Sequence, residues 1–297
     1  MYDIVVIGSI NADLVFKADK RPNPGETLLG NDFKTVPGGK GANQAIAAAR
    51  LGASVAMLGC LGNDQNGVFL EENLKINNVE TKYIEKVNNV PSGVAGIVLA
   101  EGDNSIIVVP GANYEVDKEY IDKNKDVILG SKIVLLQLEI PIDVVEYVID
   151  LCSKNKVKVI LNPAPIQKLN RSTLDKLDFI TPNEHEFEIL YGSNKEEKIL
   201  KEQKNKLIIT KGSEGVVFSD GNQLIEIPSL EVEVVDTTGA GDTFNGAFAQ
   251  SIVKGKTIEE SIKFANIAGA ISVTKFGAQG GMPTLEELNE FIKKRKV

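Results

Sequence analysis

The sequence predicts an α/β protein in which helices cover both faces of a mostly parallel sheet and a small antiparallel sheet stands apart. Three observations carry this. Apolar, β-branched runs bounded by Gly or Asn alternate with segments of helical period. Two stretches rich in Gly, Pro, Asn and Thr break that alternation. And 297 residues, 42% apolar and 25% charged, suit a globular chain that buries roughly 75% of its unfolded surface.

In chain order, the expected buried strands are Ile4–Ile7, Ser54–Leu58, Ile133–Leu138, Val157–Leu161, Leu207–Thr210 and Gly215–Ser219. Their near-continuous apolar runs fit a sheet covered on both sides. Helical periodicity falls at Gly41–Leu51, Gly67–Ile76, Lys118–Leu129, Ile142–Asn155, Asp242–Lys254 and Ile258–Thr274. Thr284-Leu-Glu-Glu287 is a capping box that opens a last helix. The interruptions, Asp13–Val36 and Ser92–Pro110, contain short alternating segments with no helix between them. They are expected to form hairpins of a separate sheet, placed as a lid over a ligand site or as a dimer surface. Nothing reads as an interdomain linker, so residues 1–297 are taken as one domain.

Composition excludes several classes. The formal net charge is −8, with no basic run longer than Lys293-Lys294-Arg295-Lys296, so a nucleic-acid backbone finds no electrostatic footprint. The single His185 rules out a His-based zinc cluster. Cys60 and Cys152 lie far apart, outside any C-x-x-C spacing, and are expected as reduced thiols. No apolar run reaches the ~18 residues of a membrane span. Met1-Tyr2-Asp3 runs into Ile4–Ile7 without a basic segment, and a cytoplasmic protein is expected.

Asp236-Thr-Thr-Gly239-Ala240-Gly241-Asp242-Thr-Phe244 is the strongest local signal. A glycine turn opening a helix presents free N–H groups and a positive dipole end to an anion, and phosphate is the natural ligand. A carboxylate beside bound phosphate is repulsive as a mere binder. Asp242 makes sense as the base that accepts an alcohol proton during phosphoryl transfer; its plain alternative is an N-terminal helix cap. Gly255-Lys256-Thr257 imitates the end of a P-loop, but the leading glycine position holds Gln250. A dinucleotide fingerprint fails at Phe244.

A second constellation, Pro37-Gly38-Gly39-Lys40-Gly41-Ala42-Asn43-Gln44, leads into an alanine-rich helix. Its glycines admit a polyol to the backbone, and Asn43 offers a donor and an acceptor to hydroxyls. Gly8-Ser9-Ile10-Asn11-Ala12-Asp13 follows the first strand, at the edge where α/β sheets bind ligands.

The two glycine motifs, in this order and roughly 200 residues apart, resemble the ribokinase/phosphofructokinase-B family of carbohydrate kinases. Gly8–Asp13 with Pro24-Gly25-Glu26-Thr27 resembles its ribokinase branch. The resemblance spans essentially the whole chain and implies a ribokinase-like three-layer α/β sandwich with a β lid. It implies Asp242 as catalytic base, with Gly239, Ala240 and Gly241 as anion hole. Asn11, Asp13, Gly39, Lys40, Asn43 and Glu139 match the sugar pocket. Asn183 and Glu186, in Thr181-Pro-Asn-Glu-His-Glu186, match an N-x-x-E motif associated with phosphates and hydrated Mg²⁺. Lys211, Gly212, Ser213 and Gly215 match a nucleotide-binding turn, and Asn266 an adenine-site residue.

A K⁺-type site is implied at Asp236, Thr238, Ser272, Lys275 and Gly277. At Gly281 some members carry serine, so here only the carbonyl can contribute. An acidic Glu186 near phosphate calls for a cation, for which water-held Mg²⁺ is the simplest choice; alone it reads as a solvated helix-start carboxylate. His185 reads as a bystander. Asp13 and Glu139 favour a neutral sugar over a phosphosugar, because both repel phosphate. The expected reaction is ATP-dependent phosphorylation of D-ribose at its 5-hydroxyl. Alternatives are 2-deoxyribose, another neutral sugar or a nucleoside, and, from another class, a catalytically silent sugar sensor. A lid-to-lid homodimer is expected.

Overall fold

A computed structural model describes residues 1–192 and 195–295. Its strands, in chain order, are β1 (Ile4–Ile7), β2 (Asn11–Lys17), β3 (Asp32–Gly38), β4 (Val55–Gly62), β5 (Val79–Glu80), β6 (Ile84–Val87), β7 (Gly93–Ala100), β8 (Asp103–Val109), β9 (Ile133–Leu136), β10 (Lys158–Leu161), β11 (Phe179–Ile180), β12 (Ile208–Thr210), β13 (Val216–Ser219) and β14 (Leu224–Ile227).

The central sheet has seven parallel strands in the order β11-β10-β9-β1-β4-β5, with β6 also on β4. Along β1 the period of two separates its faces: Ile4 and Val6 enter one buried cluster, Val5 and Ile7 the other. The first cluster takes side chains from the Lys40–Arg50, Ala240–Val253 and Ile258–Ser272 helices. The second takes Val144, Val145, Val148, Ile149 and Cys152 from the Ile142–Asn155 helix. The expected three layers are therefore present.

Strand order reverses at β1, which pairs with β4 on one side and β9 on the other. Ligands of such sheets sit beyond the carboxyl ends of the strands at this point. Here those ends lead to Ser9–Asp13 after β1, Gln137–Glu139 after β9, Asn162 after β10 and Thr181–Glu186 after β11.

The lid is the four-stranded sheet β3-β2-β7-β8. Its two hairpins are antiparallel, but β2 and β7 join them in parallel, so the sheet is antiparallel only within each hairpin. Glu101 and Gly102 at the β7–β8 turn both have positive φ, the conformation of a two-residue hairpin loop.

Some details differ from expectation. Leu207–Thr210 and Gly215–Ser219 do not extend the parallel sheet: β12, β13 and β14 form an antiparallel sheet, because the connection after Thr210 is too short for a crossover. Among the described residues, its backbone bridges to the segment of β11 in parallel at Ile180 to Leu207 and at Asn183 to Thr210. The expected helix Lys118–Leu129 is two, Lys118–Lys123 and Lys125–Leu129, divided at Asn124. No helix among the described residues is long and apolar enough to cross a membrane.

Candidate active site

The Ala240–Val253 helix starts two residues earlier than its periodicity indicates, because Gly239 caps it in the left-handed region at φ 78°. A β-carbon at Gly239 would stand 2.7 Å from Cβ of Ala278, so both φ and space select glycine. The Ala240 N–H donates to Thr237 O at 3.2 Å. A β-carbon at Gly241 would meet nothing within 4 Å. The front of this turn is therefore an open backbone cradle at a helix N-terminus.

Asp242 lies in the first turn, buried with 6% of its surface exposed. Its Oδ2 accepts from Asn43 Nδ2 at 2.9 Å and its Oδ1 from Gln44 Nε2 at 3.0 Å. These donors lie on the Lys40–Arg50 helix, whose alanines and the facing Gly246 let the two helices close up. A β-carbon at Gly246 would be 2.6 Å from Gln44 O and 2.7 Å from Ala47 Cβ. Asn43 Oδ1 accepts from Gln279 Nε2 at 2.9 Å, leaving the Asn43 amide one hydrogen and one lone pair for a ligand.

Glu139 accepts from Ser9 Oγ and, at 3.0 Å, from the Lys40 N–H. Gly39, at φ 88°, caps the Lys40–Arg50 helix; a β-carbon there would lie 2.7 Å from Asn11 N. Asn11 Oδ1 accepts from Asn113 Nδ2 at 2.7 Å, while Asn113 Oδ1 accepts from the Ile10 N–H at 2.9 Å. The Asn11 amide is thereby oriented, its NH₂ left for another acceptor. Burial, then Glu139, then Asp242 push the Asp13 carboxyl up to about 7. Attraction to Asp242, against burial, and then to Glu139 and Glu186 holds the Lys40 ammonium above the usual lysine value. The six sugar-pocket candidates thus gather around Asp242.

Asn183 and Glu186 form a reciprocal capping box: Glu186 N donates to Asn183 Oδ1 at 2.8 Å, and Asn183 N to Glu186 Oε2 at 2.9 Å. Glu186 is only 8% exposed, which overturns the solvated-carboxylate alternative. Burial raises its pKa, against the Asn183 bond, Lys40 and His185. Among the described residues no three His, Cys, Asp or Glu side chains are grouped to hold a metal. A lone carboxylate with one oxygen already engaged fits an ion whose other ligands are water and phosphate.

Asp236 accepts from Thr238 N and Gly277 N, each at 2.9 Å, drawing the two segments of the cation candidate together. Burial raises its carboxyl, but hydrogen bonds from the Thr238 side chain, then from the Thr238 and Gly277 N–H groups, outweigh it and the pKa falls below the usual range. Ser272 and Gly277 sit in the same cluster: a β-carbon at Gly281 would stand 2.0 Å from Ser272 O, and Gly281 N donates to Gly277 O at 3.0 Å. Lys275 points out to an exposed pair with Glu287.

The turn from Lys211 to Gly215 joins β12 to β13 with Gly212 at φ 53° and Gly215 at φ 104°. Ser213 lies in its single 3₁₀ turn. Lys211 pairs with Glu196 at 2.8 Å. Asn266 Nδ2 donates to Ile227 O at 3.2 Å, tying the Ile258–Ser272 helix to the end of β14. Under the lid lies a cleft of about 780 Å³, walled by Asp13, Val15 and Ile97 on one side and by Asp236, Thr238 and Gly277 on the other. Asp242 and the 211–215 turn lie outside its lining.

Residues 1–285 match the pfkB family of carbohydrate kinases. The chain belongs to this family. Among pfkB relatives, a ribokinase of Bacillus subtilis (strain 168) is 51% identical over 98% of this chain and 100% of its own. A deoxyribokinase of Salmonella typhi is 38% identical, covering 98% of each chain. The structure of an Arabidopsis thaliana ribokinase complexed with ribose and ATP superposes with a TM-score of 0.91 at 35% identity, covering 98% of this chain and 99% of that one.

Four residues beside Asp242 and the sugar-pocket candidates had no assigned role in the sequence reading: Gln44, Gln279, Asn113 and Ser9. The signal for Gln44 was a polar side chain among alanines, on a helix face that must be buried; Asn113 and Gln279 carry no comparable local pattern.

Proposed function

We propose that the protein is an ATP-dependent D-ribose kinase that makes ribose 5-phosphate and ADP. The observation that carries this is Asp242, a buried carboxylate held by two amides at the mouth of a glycine-lined helix start, with Asn11, Asp13 and Glu139 gathered beside it.

In this reading the sugar's primary hydroxyl faces Asp242, which takes its proton as the oxygen attacks the terminal phosphoryl group in line. The Gly239–Gly241 backbone and the helix dipole stabilise charge on the transferred group. Glu139, fixed by Ser9 and the Lys40 N–H, and Asp13 accept hydrogen bonds from sugar hydroxyls, and Asn11 donates one. Two carboxyls in one pocket favour a neutral sugar. The 211–215 turn and Asn266 bind the nucleotide. Glu186 would hold Mg²⁺ through water, and the ion, bound with the nucleotide, would supply charge neutralisation at the phosphates. The Asp236–Gly277 loop would hold a monovalent cation, which would firm the backbone next to Gly239. The lid closes over the sugar and pairs with a second copy.

The relative named deoxyribokinase supports 2-deoxyribose as the second reading. A coupled assay of ADP release with ribose, 2-deoxyribose and hexoses, in K⁺ and in Na⁺, separates the two. Asp242→Asn should lose about 10²- to 10⁴-fold in kcat while calorimetry shows ribose still binding. Turnover near wild type in that variant refutes the assignment.

A further inference from the structure

We propose that Gln44 is the positioning residue of Asp242: it fixes the plane of the carboxylate and so sets the turnover rate without touching substrate. This rests on the reading of Asp242 as base.

Gln44 is fully buried on an alanine-rich helix, where an amide is costly unless its groups are bonded. Its two Nε2 hydrogens go to Asp242 Oδ1 at 3.0 Å and Asn162 Oδ1 at 3.1 Å, and its Oε1 accepts from Gln137 Nε2 at 2.6 Å. Turning the amide over would set its oxygen against two other oxygens and its NH₂ against an NH₂. The sense is anchored further out, because Asn162 Nδ2 donates at 3.3 Å to the carbonyl of Thr181, a group that can only accept. Hydrogen bonds of fixed sense thus link the backbone beyond β11, through Asn162 and Gln44, to the carboxylate, with Gln44 donating toward both ends.

The next residue back, Asn43, holds the other oxygen, with its own sense set by Gln279. Both oxygens of Asp242 are therefore gripped by neighbouring residues of one helix, each locked by a partner from elsewhere in the chain. The donors are neutral. They hold the carboxylate by hydrogen bonding, and the nearby Lys40 ammonium attracts it as a charge. Each oxygen keeps a lone pair for the acceptor alcohol. Such restraint matters because small misplacement of a reacting group is costly: about 1 Å can remove a hundredfold in rate.

The test is Gln44→Met, which keeps length and bulk and removes every hydrogen bond, compared with Asp242→Asn. Expected is a fall in kcat of about 10- to 100-fold, with KM for ribose and ATP and the calorimetric ribose affinity within about threefold of wild type. A residue that merely supports the fold would instead lose rate and ribose binding together, and that result overturns the proposal. So does a Gln44→Met enzyme with kcat within twofold of wild type beside an inactive Asp242→Asn. Turnover in Asp242→Asn would remove the base reading itself, and this inference with it. Should Gln44→Met fail to fold, Gln137→Met releases the far side of the same amide; it should lower kcat several-fold at unchanged KM, and an unchanged kcat refutes the proposal.

Discussion

Asn43 Nδ2 lies 2.9 Å from Asp242 Oδ2, joining residues 199 positions apart, and the same amide accepts from Gln279 at 2.9 Å. One side chain therefore links the proposed base to the Ala278–Gly281 helical turn beside Asp236. Asn43→Ala strands Asp242 Oδ2 and the Gln279 NH₂ together. The expected outcome is a loss of about 1–3 kcal/mol of stability, read from the denaturation midpoint, and at least a tenfold loss in kcat. Stability and rate both unchanged would mean that the link is idle.

Asp13 offers a pH test. Its carboxyl is raised from 3.8 to about 7, first by burial, then by Glu139 and Asp242. Between those values the folded chain holds a proton that the unfolded chain has released, so this contribution is fully present below pH 4 and is lost as pH rises through 7. Asp13→Asn removes it. The Tm of the wild type should fall relative to that of Asp13→Asn as pH rises from 5 to 8. Sugar hydroxyls donate to the ionised form, so ribose affinity should rise over the same span in the wild type and stay flat in the variant. Parallel Tm profiles for the two proteins would refute the assignment.

Legibility followed the range of the interactions. Buried parallel strands and amphipathic helices announce themselves locally, and β1 occupies the residues that its apolar run indicates. Gly239 was legible because a turn into a helix needs a positive φ. The fate of Leu207–Ser219 was not: an apolar run marks a buried strand but not its partner, and only the short Lys211–Gly215 connection betrays the hairpin. Glu186 shows the same limit. Asn183-x-x-Glu186 has capping-box spacing, yet its burial depends on the bridge from Asn183 to Thr210 and on packing that no local pattern encodes. Gln44 was the hardest case, since its partners Asn162, Gln137 and Asp242 lie 118, 93 and 198 positions away.

Gly281 bears on cation activation. A β-carbon there would lie 2.0 Å from the Ser272 carbonyl oxygen, a backbone atom that cannot swing aside. A serine at this position therefore does not simply add a hydroxyl ligand: the 272–281 segment has to open first. Gly281→Ser should lower stability by about 1–3 kcal/mol and weaken the K⁺-over-Na⁺ preference of turnover. Unchanged stability with stronger K⁺ activation would show that the loop accommodates the side chain.

The lid bears on assembly. In the register of β3-β2-β7-β8, Phe33 pairs with Phe16 and Phe16 with Val98, while Gly96 joins Leu14 to Ile107, so these side chains share the sheet face opposite Asp13. Ile107 is 74% exposed, Phe33 54% and Phe16 46%. A contiguous apolar sheet face of this kind suits docking in water, and in the proposed homodimer a second lid would meet it through a two-fold axis. Light scattering at micromolar concentration should give a dimer for the wild type and a monomer for Ile107→Asp, whose charge would be buried unpaired at the contact. Since in the proposed function the lid closes over the sugar, the monomer should show a raised ribose KM. A wild-type monomer at that concentration would dismiss the lid-to-lid pairing and leave the exposed face to another role.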